Sequence, residues 1–159
     1  MDAKLVDSLI EALGAGYEVR YPRMPAEDDP SYAQWGSAIR RELATLDDGA
    51  VVVGHSVGGT VLMHVLSGTP LQRRLGAIAV LAARFVGTGG WPGDEFELPA
   101  DLVKRLPQRV AVQAFYGLEA QTGPPSPADL YAQAIPQAHV HRLPGRDHQL
   151  NGDCAASQT

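Results

Sequence analysis

The segment running from Val51 to Thr60, Val-Val-Val-Gly-His-Ser-Val-Gly-Gly-Thr, constrains this chain most. Three β-branched residues lead into Gly-x-Ser-x-Gly, and an apolar pattern of helical spacing follows at once. A strand passes directly into a helix around a serine only through a sharp, strained turn. The flanking glycines let the backbone close there without Cβ clashes. Such a turn lifts the Ser56 hydroxyl clear of both elements, as a nucleophile requires. A serine of an ordinary β-turn has no need of this context.

Composition removes several other readings. At 159 residues the chain reads as one domain, 1–159, long enough for a real core. Hydrophobic residues are 45% and charged ones 19%, as in soluble globular proteins. A net charge of −5 offers no basic field for nucleic acid or anionic membrane. No apolar run approaches the ~20 residues of a membrane span. The opening Met-Asp-Ala-Lys-Leu-Val-Asp is amphipathic and lacks the apolar stretch of a signal peptide. Cys154 is the single cysteine, so neither an internal disulfide nor a thiolate pair for zinc is available. The expectation is a cytoplasmic protein without cofactor or metal, partnered by neither nucleic acid nor membrane.

Strand and helix alternate along the chain. Leu5, Val6, Leu9, Ile10 and Leu13 recur at helical spacing, and Gly14 and Gly16 offer a stop. Tyr17–Tyr21 alternates and ends at Pro22, which predicts a short strand. After a Pro-rich acidic loop, Pro30 and Ser31 open a helix with Trp35, Ile39, Leu43 and Leu46 on one face. Ala50–Val53 reads as a buried strand, Val57–Ser67 as the next helix, and Gly76–Leu81 and Arg109–Tyr116 as two more apolar strands. Ser126-Pro127 caps a helix to about Ile135, and His139–Leu143 alternates as an edge strand does. The pattern predicts a right-handed parallel α/β sheet of about five strands flanked by helices.

A serine hydroxyl needs a base within hydrogen-bond reach and a group that orients the base. On an elbow of this kind the chain order is serine, acid, histidine. His148, in Pro-Gly-Arg-Asp-His-Gln-Leu after the last strand, is the candidate base. His139 and His141 lie within that strand, His55 flanks the serine, and His64 sits on the following helix. The acid should follow the strand ending at Tyr116, where Glu119 stands either as that acid or as a solvated turn residue. Asp147 adjoins His148 and is expected to point away from its ring, while Asp129 opens a helix and is expected to complement its dipole. The N–H of Val57 is placed to stabilise an oxyanion. In the Gly/Pro-rich stretch 84–99, Phe85, Trp91 and Phe96 either wall an apolar acyl pocket or pack the loop itself.

These features carry a resemblance. Tyr21-Pro-Arg-Met-Pro, Tyr32-x-x-Trp35, Gly54-His-Ser-Val-Gly-Gly, Gly89-Gly-Trp and Gly145-Arg-Asp-His together resemble small α/β-hydrolases of the retinoblastoma-binding-protein-9 type, over about residues 3–152. The resemblance implies an α/β-hydrolase-like sheet and a Ser-His-acid mechanism. It also marks two departures. The family's acid position is held here by Ala120, one residue after Glu119, and Ala cannot orient an imidazole. The family opens with a strand and a His-Gly-type loop that supplies a second oxyanion donor, whereas this sequence begins at the helix expected after that loop. Without that strand its neighbours would face a slot of roughly 10 Å, since adjacent strands lie ~4.8 Å apart. Either Tyr17–Tyr21 shifts inward, or the chain is a fragment short at both ends.

The leading expectation is a serine hydrolase of carboxylic ester or related acyl bonds in a small-molecule substrate. Self-association through an unpaired strand edge is expected with it. The alternative is a catalytically impaired hydrolase scaffold that works as a binding or interaction protein, which Ala120 favours. A flavodoxin-like nucleotide binder lacks support, because no Gly-x-Gly-x-x-Gly is present.

Overall fold

The computed structural model describes residues 3–25, 28–29, 31–68, 71, 74–86, 97–107, 109–117 and 126–143. In chain order the elements are α1 (Ala3–Leu13), α2 (Tyr32–Leu43), β1 (Ala50–His55), α3 (Val57–Gly68), β2 (Leu75–Leu81), α4 (Leu102–Arg105), β3 (Ala111–Gly117), α5 (Pro127–Ala134) and β4 (His139–Leu143). The four strands form one sheet in the order β1-β2-β3-β4, every pair parallel. Parallel neighbours need crossovers, and α3, α4 and α5 lie between successive strands. No helix among the described residues is long and apolar enough to cross a membrane.

Side chains alternate between two apolar layers, as the two-residue strand period demands. Val52, Ile78, Val80, Val112, Ala114 and Tyr116 face the larger core, packed by Trp35 and Leu43 of α2, Val61 and Val65 of α3, and Leu130 and Tyr131 of α5. Their neighbours Val53, Ala79, Leu81 and Phe115 face the opposite way, against Leu5 and Leu9 of α1. Phe115 is fully buried between layers, the kind of side chain whose burial stabilises by roughly 1.5–3 kcal/mol. Trp35 Nε1 donates to Pro25 O at 2.7 Å, and Met24 packs on the same core. The Pro-Arg-Met-Pro loop and the Trp35 helix are thus one unit.

Two strand expectations need correction. Among the described residues the sheet has four strands where about five were expected, because Tyr17–Tyr21 joins no ladder. Tyr17 is 66% exposed, and Arg20 reaches Thr45 Oγ1 at 3.0 Å from this irregular segment. A lone extended stretch gains no ladder bonds, so its alternation alone does not hold it as a strand. Nor is the run Ala50–Val53 buried throughout. β1 pairs with β2 only, which makes it an edge strand among the described residues, and Val51 is 60% exposed. The short α4, with Leu102 fully buried, had no clear periodic signal.

Candidate active site

Ser56 stands between the end of β1 and the start of α3 with φ 54. A left-handed conformation costs a non-glycine residue roughly 1–2 kcal/mol, so the surrounding bonds must hold it. They do so at three points. The Ser56 N–H donates to Leu81 O at 2.9 Å, and the Ser56 carbonyl accepts from the N–H groups of Gly59 and Thr60 at 3.0 and 3.2 Å. With that carbonyl closing the first helical turn, the N–H groups of Val57 and Gly58 precede the helical ladder, at the positive end of α3.

The glycines of the turn are not equivalent. A Cβ on Gly54 would fall 2.6 Å from Gly59 Cα, and one on Gly59 would fall 2.7 Å from Ala83 Cβ. Gly58, the second glycine of the Gly-x-Ser-x-Gly pattern, meets nothing within 4 Å among the described residues. The close approach that lets α3 fold back on β1 therefore uses Gly54 and Gly59.

A second left-handed residue lies beside the first. His55 and Leu81 are register partners on β1 and β2, and the residue after each leaves its strand with positive φ: Ser56 at 54 and Ala82 at 51. The Ala82 N–H donates to Phe115 O at 2.8 Å. After Ala82 two successive carbonyls accept from three hydroxyls. Tyr116 donates to Ala83 O at 2.6 Å, while Thr60 and Tyr131 donate to Arg84 O at 2.7 and 2.9 Å. Burial pushes the Tyr116 and Tyr131 phenols well above their ordinary range, so both stay protonated donors. The only local hint of this clamp was a threonine inside an apolar helix, and the two tyrosines gave none.

Of the residues singled out from sequence, Ser56 and Val57 stand together at the C-terminal edge of the sheet, where open parallel sheets place their ligands. Phe85 is buried against Tyr131, ring centroids 5.0 Å apart and nearly perpendicular. His148, Glu119, Ala120, Asp147, Trp91 and Phe96 lie outside the described residues. In sequence Glu119 follows β3 and His148 follows β4. His55 is buried, and His141 stacks on Phe115 while Nε2 meets Gln113 Oε1 at 2.7 Å. Asp129 forms a capping box with Ser126 and accepts from Arg142 at 2.6 Å. The Ser126 N–H, then the Arg142 guanidinium and after it the Ser126 hydroxyl, hold its carboxyl below the usual carboxylate range. Among the described residues no group of three or more His, Cys, Asp or Glu side chains is arranged to hold a metal.

Comparison with known proteins agrees with this geometry. The serine hydrolase family matches over residues 9–115. The ydeN gene product of B. subtilis is 18% identical with a TM-score of 0.63, the match covering 81% of this chain and 70% of that one. A variant of tomato methylketone synthase I, complexed with beta-ketoheptanoate, is 14% identical with a TM-score of 0.62, covering 98% and 87%. Mouse alpha/beta hydrolase domain-containing protein 10 is 16% identical with a TM-score of 0.56, covering 95% and 77%. At these identities the structural likeness establishes the α/β-hydrolase fold. A comparison with curated proteins gives no match.

Proposed function

Because this chain belongs to the serine hydrolase family, we propose that it hydrolyses a carboxylic ester or related acyl bond of a small molecule, with Ser56 as nucleophile. The left-handed Ser56 at the strand–helix junction is the observation that carries the reading. In the proposed cycle Ser56 Oγ attacks the acyl carbonyl and His148 takes the hydroxyl proton as general base. The Val57 N–H donates to the oxyanion of the tetrahedral intermediate. His148 then protonates the leaving alcohol, and water, activated by the same imidazole, releases the acid and restores Ser56. Glu119 is assigned to orient His148. Phe85, Trp91 and Phe96 are assigned to the acyl side of the site, Phe85 being the member that the core holds rigid. The reading requires no cofactor, and a cytoplasmic location is proposed with it. The exposed edge of β1 suits pairing with a second copy.

A second reading is a scaffold with impaired catalysis. It draws on Ala120, which stands where the resembled hydrolases carry their acid. Fold alone does not choose between the two. A fluorophosphonate probe does, because it reacts with a serine only when a base and an oxyanion site raise its reactivity. Labelling that disappears in Ser56→Ala supports the hydrolase. Absence of labelling in the wild-type chain supports the scaffold.

A further inference from the structure

We propose that the Thr60 hydroxyl is a positioning group for the reactive serine, tying the strained turn at Ser56 to the strained exit of β2; the inference rests on Ser56 being the nucleophile. Thr60 occupies both ends of this tie. Its N–H donates to Ser56 O at 3.2 Å, and its Oγ1 donates to Arg84 O at 2.7 Å. The hydroxyl lies 3.5 Å from Ser56 O, so its single proton goes to the nearer carbonyl of Arg84.

The loop it holds is the one that bears on the elbow. Leu81 O accepts the Ser56 N–H, and Ala83 packs so closely on Gly59 that no Cβ fits between them. Between these contacts lies Ala82, itself left-handed. A left-handed residue that is not glycine persists only where its surroundings over-determine it. Thr60 and Tyr131 together fill both lone pairs of Arg84 O, and Tyr116 secures the preceding carbonyl. Of the three hydroxyls only that of Thr60 belongs to the helix that begins at the serine, and so only it couples the loop to the nucleophile. Valine has nearly the shape of threonine but no donor. In Thr60→Val the elbow keeps its glycine contacts and loses its tie to Arg84.

A purely structural hydroxyl would lower stability and leave the reactivity of the folded protein alone. Fluorophosphonate labelling rates of the full chain separate the two roles, each variant being measured at the same interval below its own Tm. Val65→Ala serves as the matched control, since Val65 is fully buried on the same helix and away from the elbow. Thr60→Val should label about ten- to a hundredfold more slowly than the wild type, the scale expected of a small misplacement at a reacting group. Val65→Ala and Thr60→Ser should label near the wild-type rate. If Thr60→Val does not fold, Thr60→Ala, which likewise removes the donor to Arg84 O, is read in its place with the same expectation. A Thr60→Val rate equal to that of Val65→Ala overturns the positioning role and leaves the serine reading intact. A wild-type chain that takes no label at Ser56 overturns both.

Discussion

Gly54 and Gly59 meet back to back across the serine turn, with room for neither to carry a side chain. A Cβ on Gly59 would run into Ala83 and the Gly54 carbonyl, both of which are backbone-anchored and cannot swing away. Gly59→Ala should therefore lower Tm sharply or prevent folding. Gly58→Ala meets open space among the described residues and gains helix propensity, so its Tm should equal or exceed that of the wild type. Thermal unfolding of the pair checks this, and equal losses at both positions would contradict it.

Asp129 links α5 to β4 and should leave a pH signature. The folded state favours its ionised form, through Ser126 first and Arg142 second, so its pKa lies below the unfolded value. Its stabilisation is fully present above the unfolded carboxylate range near 4 and is lost as pH falls through the lower folded pKa. Asp129→Asn should thus be less stable than the wild type at pH 7, with the gap closing in acid. A Tm difference that stays constant with pH would exclude the linkage.

Among the described residues no strand pairs with the open side of β1, beside an exposed Val51. Such edges recruit other chains, and lysine is a common means of blunting them. We expect the wild-type chain to self-associate with rising concentration and Val51→Lys to shift it toward monomer. Sedimentation that shows a monomer across a wide concentration range for the wild type would refute the edge as an interface.

The acid is tested by adding one. If Glu119 orients His148 poorly, Ala120→Asp should accelerate fluorophosphonate labelling, within the roughly 10⁴ that the acid of a serine triad contributes to turnover. His148→Ala should abolish labelling in either background. An Ala120→Asp variant no faster than the wild type would mean that another carboxylate already serves the histidine.

Much of this site was legible from residues close together in sequence. The serine turn needs a strand, two glycines and a helix in succession, all within Ala50–Gly68. The apolar runs of β2 and β3 and the Ser126 cap are equally local, since periodicity and capping act over a few residues. Tertiary structure decided the rest. Val51 carries the same side chain whether its strand is central or at an edge, and it is exposed where β1 has no ladder on one side among the described residues. Likewise Gly58 matches the motif while Gly59 bears the contact, because Ala83 arrives there from the segment that leaves β2. The hydroxyls of Thr60, Tyr116 and Tyr131 converge on two adjacent carbonyls across 24 to 47 residues of chain. Local pattern cannot encode that convergence, because it follows from how three elements pack around one sheet edge.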